Sequence, residues 1–574
     1  MFARTLSRYH FSTRATLNLN NTINGYLRNG NLNAARQVFD ENPESRNIVS
    51  WNSIITGYMR HNRWRRAEEL FDQMPQKDVV SWNTMLSGFR QANHPEKSYQ
   101  YFMKMTRAGE KPNELTFAVL ISAFLNTGYS FLTPQLHCRV LSSGLNLNYS
   151  LGSALMRGYL DLGDREGLCR VFDEILVKDV APWNVLILGF MEFGLTSEAK
   201  RAFYLMPEKN AFSWSTLING YVKNKMLSEA RSVLDTMNEN DVVCWTAMIK
   251  GYVQWEGFLE ALELFILMLN SGPRPNHFTF SCVLDACAGC SSLLIGNQVH
   301  SCILKVGTVL DVILSTSLLD MYAKCGDIEA AYYIFQSMSE KNLVSWNSII
   351  GGYARHGLAK RALQEFERMV KESINPDEIT FINVLSACGH GGMVEEGERI
   401  FNSMNSKYGV KPGIQHFACI VDLYGKAGQL KKAEEFVRGM PFEPDVVVWG
   451  ALLGACGLHS CLEIGESAAS RIYKLEQDHP AVYAMLSKMH GENEVWNTVA
   501  QMKKMIRVKR ARKQKAGPVE QQRFSLRRIR FPAPSSFPAL RSLLFNGDRT
   551  KHLIADTHSS VSWYSMQRIL SLKP

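Results

Sequence analysis

The residues that could do metal chemistry are few and poorly placed for it. His94-Pro95-Glu96 and His490-Gly491-Glu492 each spell H-x-E, and Cys287 with Cys290 forms one C-x-x-C. A zinc site of the hydrolytic kind needs three thiolate or imidazole ligands and a water, with a glutamate shuttling protons. His490 has no cysteine pair after it, since no cysteine follows Cys461. His94 falls inside a polar turn. The Cys287/Cys290 pair falls among small residues, where thiols pack between helices. The chain has no Walker loop and no dinucleotide fingerprint. No catalytic site, metal or cofactor is expected, and no small-molecule substrate.

A second class of polar residues recurs at intervals. Asn52, Asn83, Asn184 and Asn347 each follow a tryptophan. Asn20, Ser153, Ser215, Thr246 and Thr316 take the same place elsewhere. Each interval closes on a second polar residue: Asn47, Asp78, Asn113, Asp179, Asn210, Asp241, Asn276, Asn342 or Asp377. Amide and hydroxyl groups can pair with the Watson–Crick edge of a base, and helical repeats that read one base each are a known mode. The same residue types also cap helices and form turns. Capping alone would let them exchange freely. Both readings stand at this point.

These residues must be carried by a repeating element. Val79 to Asn113, Val242 to Asn276 and Leu343 to Asp377 are each 35 residues long, with Trp82, Trp245 and Trp346 fourth and Gly88, Gly251 and Gly352 tenth. Self-similarity at such a period means a repeat array. Within one unit, Trp82, Met85, Leu86 and Phe89 form one apolar helical face. Ser81 is read as the helix start, its hydroxyl accepting an orphan backbone N–H. Gln91 to Pro95 is a polar break, and Tyr99, Phe102 and Met103 mark a second helix ended by Gly109, Lys111 and Pro112. A lone helical hairpin cannot bury its apolar faces, so it must stack on neighbours. The tryptophans Trp51, Trp82, Trp183, Trp214, Trp245 and Trp346 are read as core.

Composition fits an array. The 574 residues are 46% hydrophobic, 21% charged and 10% aromatic, ample for a folded core and too many for one compact domain. No run of about 18 apolar residues suggests a membrane span. Twelve scattered cysteines show no disulfide framework and suit a reducing compartment. The formal charge of +10 is a weak pointer to an anionic partner. Residues 1–15 carry Arg4, Arg8 and Arg14 among Ser and Thr, and the first acidic residue is Asp40. That is the composition of a transit peptide. Bulky Phe2, Leu6 and Phe11 favour the mitochondrion, with the chloroplast as the alternative; an ordinary basic start would look similar.

In order, thirteen units fill residues 16–445 as one continuous array without linkers. They are Thr16–Asn47, Ile48–Asp78, Val79–Asn113, Glu114–Asn148, Tyr149–Asp179, Val180–Asn210, Ala211–Asp241, Val242–Asn276, His277–Asp311, Val312–Asn342, Leu343–Asp377, Glu378–Gly413 and Ile414–Asp445. Alternating 35- and 31-residue units with "VVSWNxxIxGY" resemble plant pentatricopeptide repeat proteins of the mixed-length (PLS) subclass. The variant "TFxxVLxAC" in Glu114–Asn148 and His277–Asp311 resembles that subclass's long-type repeat. A fixed 34-residue tetratricopeptide pattern fits less well. Residues 446–516 are similar to the family's C-terminal E-type extension, though the match fades after Met505, where KRARKQKAGPVEQQ replaces a Pro-Gly-x-Ser-Trp motif. Residues 517–574 resemble nothing in the family and read as a basic, disordered tail. The cluster Lys503 to Lys515 could touch phosphate or be a solvated helix end.

The resemblance implies an all-α fold, a right-handed α-solenoid superhelix of stacked helix-turn-helix repeats. It implies single-stranded organellar RNA as partner, with the fifth and last residues of each unit reading one base. The second residues Val80, Val243 and Val344 would sandwich bases, or simply pack in the core. It implies a site-recognition factor for C-to-U editing without a DYW-type deaminase domain of its own, recruiting a separate DYW-type deaminase and other editing factors. RNA binding for splicing or transcript protection, and a protein-binding scaffold, are the alternatives. Read by the family's pattern, the pairs give a target 5′-Y-U-Y-n-G-Y-G-A-n-A-U-n-n-3′. Ala118, Ile382 and Ala418 cannot pair with a base edge, and Ser281 sits in a long-type unit that gives no base.

Overall fold

Asp78 shows how each unit begins. Its carboxylate accepts the backbone N–H of Ser81 at 2.8 Å and caps the helix Val79–Gln91. The helix therefore starts at Val79, two residues before Ser81, with Asp78 as its cap, which corrects the sequence expectation. Ser81 lies buried in the first turn and donates its hydroxyl to Asp78 Oδ1 at 2.7 Å. Both residues have capping chemistry, and Asp78 has the extended backbone that an N-cap needs. The same device opens most of the other units, the Ile414–Lys426 helix with Gly413 before it being an exception. Asn47, Asn113, Asn148, Asp179, Asn210, Asp241, Asn276, Asp311, Asn342, Asp377 and Asp445 each accept backbone N–H groups of the helix that follows.

The computed structural model describes residues 16–237, 241–271, 273–476 and 480–492. Among these residues the regular structure is helical, and no helix is long and apolar enough to cross a membrane. Unit boundaries and helix starts coincide throughout. Val79–Gln91 is followed by Pro95–Arg107, Val180–Glu192 by Thr196–Leu205, and Leu343–Arg355 by Ala359–Lys371. Val446–Leu458 and Leu462–Leu475 repeat the hairpin once more beyond Asp445, and Pro480–Glu492 adds a further helix. The described residues fall into two compact units, divided between residues 237 and 241. Within each, the first helix of a hairpin packs on the first helix of the next, and the second helix packs on its own first helix and the following one.

The apolar face of Val79–Gln91 is as the spacing predicts: Trp82, Met85, Leu86 and Phe89 are all buried. In the second helix the phase is different. Tyr101, Phe102 and Met105 are buried, while Tyr99 and Met103 are half-buried. The stretch Tyr99-Gln100-Tyr101-Phe102 offers tyrosine on either of two faces, and Met105 decides for Tyr101 by its four-residue spacing.

A recurrent clasp joins consecutive hairpins. The tryptophan of one unit meets a phenylalanine of the preceding second helix edge-on. Phe39–Trp51, Phe71–Trp82, Phe172–Trp183 and Phe335–Trp346 have centroids 4.8 Å apart, and Phe203–Trp214 4.7 Å. Such pairs contribute about 0.5–1.5 kcal/mol beyond area burial. The lysine just before the cap residue covers the same ring. Lys77, Lys178, Lys209 and Lys341 lie 5.1–5.5 Å from the centroids of Phe71, Phe172, Phe203 and Phe335. Each also donates to the carbonyl three residues back, at 2.6–2.9 Å.

The turn inside each hairpin needs a left-handed residue. Gly163, Gly194 and Gly357 supply it at φ 69–72°, and Asn62 and Asn93 at φ 56°.

Candidate nucleic-acid interface

The fifth residues stand one position beyond the clasp, on the first helices. Most are sunk into the fold. Asn52, Asn83, Asn184, Ser215, Thr316 and Asn347 are buried, and Asn20, Ser153 and Thr246 are half-buried. The last residue of the same unit, although 27 or 30 positions away, is brought alongside. Asn20 Nδ2 donates to Asn47 Oδ1 at 3.4 Å, Asn83 Nδ2 to Asn113 Oδ1 at 3.2 Å, and Asn347 Nδ2 to Asp377 Oδ1 at 3.0 Å. In three units the two positions singled out from the sequence are therefore one polar cluster, and the last residue caps the next helix as well.

The other fifth residues are held differently. Ser215 and Thr316 donate to carbonyls of their own helix, Phe212 at 3.0 Å and Val312 at 2.6 Å. Thr246 Oγ1 lies 2.7 Å from Thr279 Oγ1 of the next unit. The amide oxygens of Asn52, Asn83 and Asn184 and the hydroxyl oxygen of Ser153 are buried with no hydrogen-bond partner. A buried polar atom without a partner costs about 1–3 kcal/mol. These four polar oxygens share one repeated position and no group of the protein satisfies them.

A row of apolar side chains borders these positions. The second residues Val49, Val80, Phe212, Val243, Ile313 and Val344 are each more than half exposed, 60% for Val80 and Phe212. Exposure removes the core-packing reading of these residues. In the first compact unit a cleft of about 550 Å³ opens between Val180–Asn210 and Ala211–Asp241. It is lined by the fifth residues Asn184 and Ser215, the last residues Asp179 and Asn210, the second residue Phe212, and Lys223. A planar base could stack on Phe212 there and present its edge to Asn184 and Asn210.

Asp377 carries the clearest electrostatic signature. Burial opposes its ionisation, but hydrogen bonds from Thr380 and Asn347 outweigh it and hold the carboxyl below its usual value. The cysteine pair behaves otherwise. Burial pushes the Cys287 thiol well above its usual value and Cys290 up to about 11, so both stay protonated. Among the described residues, no group of three His, Cys, Asp or Glu side chains is placed to hold a metal. His94 of the first H-x-E lies 3.2 Å from Glu96. His490 of the second is buried beside Glu466 at 3.4 Å. Lys503 to Lys515 and the transit-type segment 1–15 lie outside the described residues.

Sequence reasoning missed the third residue of some units as a participant. Ser50 and Thr380 donate to the fifth residues Asn20 and Asn347 of the unit before, each at 2.6 Å. Their only sequence signal was a recurrent Ser or Thr one place before the tryptophan or phenylalanine.

Comparison with known proteins follows the same periodicity. A model described as the PPR repeat family matches residues 46–79, 77–126, 240–289 and 341–390. A PPR repeat model matches 19–41, 181–210, 212–242, 314–343, 379–408 and 416–442. Neither matches Tyr149–Asp179, yet that stretch forms a capped hairpin like its neighbours. A chloroplastic pentatricopeptide repeat-containing protein of Arabidopsis thaliana is 38% identical over 86% of this chain and 58% of its own length. Another from the same plant is 34% identical over 71% of both chains. Further Arabidopsis relatives are labelled mitochondrial. The chain spans 58%, 40% and 34% of the length of the first three curated relatives. Among solved structures, the pentatricopeptide repeat protein PPR10 in complex with an 18-nt psaJ RNA element is 16% identical, covering 85% of this chain and 84% of that one, with a TM-score of 0.47.

Proposed function

The chain belongs to the pentatricopeptide repeat family, and from that premise we propose that it binds single-stranded organellar RNA in a sequence-specific way. The proposed role is site recognition for C-to-U editing, as a member of the PLS subclass with an E-type extension. A separate protein would supply the deaminase in this reading. The observation that carries the reading is the joining of fifth and last residues into one polar cluster, as in Asn347 with Asp377. The exposed apolar second residues beside it suit the faces of bases.

Each unit then reads one base, and the pairs give 5′-Y-U-Y-n-G-Y-G-A-n-A-U-n-n-3′. Single-stranded RNA selected by the purified chain from a randomised pool should converge on this pattern. Transcriptome-wide comparison of organellar C-to-U conversion with and without the protein should show loss at one or a few cytidines a short way downstream of such a sequence. Unchanged conversion everywhere would remove the editing role and leave RNA binding to be explained otherwise.

The basic start favours the mitochondrion, and the relatives carry both organellar labels. A fluorescent protein fused after the first ~60 residues, enough to contain a 15–30-residue signal and its surroundings, should enter mitochondria. Fluorescence left in the cytosol would end the organellar reading.

A further inference from the structure

The third residue of a unit is usually Ser or Thr, and its hydroxyl faces two acceptors at once. One is the cap residue three positions before it; the other is the fifth residue of the preceding unit. A hydroxyl has one hydrogen to give. In Thr380 that oxygen lies 2.6 Å from Asn347 Oδ1 and 2.8 Å from Asp377 Oδ1. In Ser50 the distances are 2.6 Å to Asn20 Oδ1 and 3.0 Å to Asn47 Oδ1. Thr279 likewise meets both its cap Asn276 and the fifth residue Thr246, whereas in three other units the hydroxyl serves the cap alone. Ser81 donates to Asp78 at 2.7 Å, and Thr116 and Ser213 to Asn113 and Asn210 at 2.9 Å. The fifth residues facing those three, Asn52, Asn83 and Asn184, are the ones whose amide oxygens have no partner. Where the third residue is Pro182, with no hydroxyl, the facing Ser153 Oγ is orphaned as well.

We propose that the third-residue hydroxyl is a specificity-determining group that fixes which end of the preceding fifth-residue amide faces the RNA. The proposal rests on the RNA-reading function above and deepens it. In the Leu343–Asp377 unit, Thr380 holds the amide oxygen of Asn347 and Asp377 holds one amide hydrogen. The second amide hydrogen is left to donate, and the carboxylate is left to accept. Uracil matches this arrangement, with O4 as acceptor beside its ring N–H. Cytosine carries an N4 amino donor where uracil carries O4, and would need the amide reversed. Without the Thr380 hydroxyl, only the Asp377 contact with the nitrogen end would oppose reversal of the Asn347 amide.

The test uses the full chain and RNA selected from a randomised single-stranded pool. It reads base frequencies at the nucleotide aligned with the Leu343–Asp377 unit, then affinities for four RNAs differing there alone. Thr380→Val keeps the shape and removes the hydroxyl. Its uridine-over-cytidine preference should fall about fivefold, the equivalent of about 1 kcal/mol for one hydrogen bond. Thr380→Ser should retain the preference. Thr116→Val, whose hydroxyl serves the cap, should leave the preference at the Asn83 base unchanged. If Thr380→Val keeps the wild-type preference, or weakens all four bases alike, the hydroxyl acts only as a cap and the proposal is overturned. Equal shifts in Thr380→Val and Thr116→Val would overturn it too. If the wild-type chain selects no base at all, the RNA-reading function itself falls, and this proposal with it.

Discussion

Thr246 and Asn347 stand at the same place in two 35-residue units and differ in what they can offer a base. Thr246 meets Thr279 as Asn347 meets Thr380, while the last residue is Asn276 in one unit and Asp377 in the other. Thr offers one hydroxyl, whereas Asn offers a donor and an acceptor with longer reach. Thr246→Asn should therefore lose preference for adenosine at that one base and gain it for a pyrimidine. The change should be on the order of 1 kcal/mol, as for single base contacts elsewhere. Binding to four RNAs that vary at that base measures it, and uniform weakening would mark Thr246 as a fold residue. Acidity is a second lever at this scale. The Asp377 carboxyl is held below its usual value. A carboxyl depressed in the folded state contributes stability above its unfolded value, about 3.9 for Asp. That contribution is lost only as pH falls through the still lower folded value. Uridine preference at this base should therefore be flat from roughly pH 8 to pH 5, a range in which maximal stability commonly lies. A decline within that range would show the carboxylate titrating near neutrality. The pair itself was legible from residue type and interval. The choice made by the Thr380 hydroxyl was not, since it turns on a difference between 2.6 and 2.8 Å that no spacing encodes.

At the scale of one helix, the tenth-position glycine is a packing residue and not a flexible one. A Cβ built on Gly88 would lie 2.4 Å from Met59 Cγ and 2.9 Å from Met59 Cβ, in the helix of the preceding unit. Alanine is the better helix former by about 0.8–1.0 kcal/mol. Overpacking against a Cβ, which cannot swing away, costs about 1–3 kcal/mol. The clash should win, and Gly88→Ala should lower stability by about 1 kcal/mol in denaturant unfolding. Gly454 provides the opposite case. It lies inside the helix Val446–Leu458, and a Cβ there meets nothing within 4 Å. Gly454→Ala should raise stability by about 1 kcal/mol through propensity alone. Equal effects in the two variants would mean that neighbour contact does not govern the tenth position. Helix faces were legible where one phase fits, as in Trp82, Met85, Leu86 and Phe89. They were misread where Tyr99 and Tyr101 offered two. The helix start was misread at Ser81 because Asp78 and Ser81 are both cappers, and only backbone geometry separates an N-cap from a residue in the first turn.

At the scale of the array, length and period fixed the architecture because stacked hairpins touch only their neighbours. The Phe–Trp clasp, with its lysine cover, is the neighbour term that the sequence shows only once the partners are known. Phe335 and Trp346 are eleven positions apart and belong to different hairpins. The division between residues 237 and 241 had no counterpart in composition or linkers. Nearest-neighbour contact also governs how recognition should combine. Thr246 belongs to Val242–Asn276 and Thr316 to Val312–Asn342, with the whole His277–Asp311 hairpin between them in sequence. Thr246 meets Thr279, whereas Thr316 donates to Val312 of its own helix, so the two share no hydrogen-bond partner. Substitutions without shared partners usually add within about 0.3–0.5 kcal/mol. The double variant Thr246→Asn with Thr316→Asn should thus prefer RNA changed at both corresponding bases. Its gain should equal the sum of the two single gains within that margin. A double-mutant cycle on four RNAs would measure it. Coupling well above that margin would mean that the units do not read bases independently, and that the RNA is fitted by the array as one body.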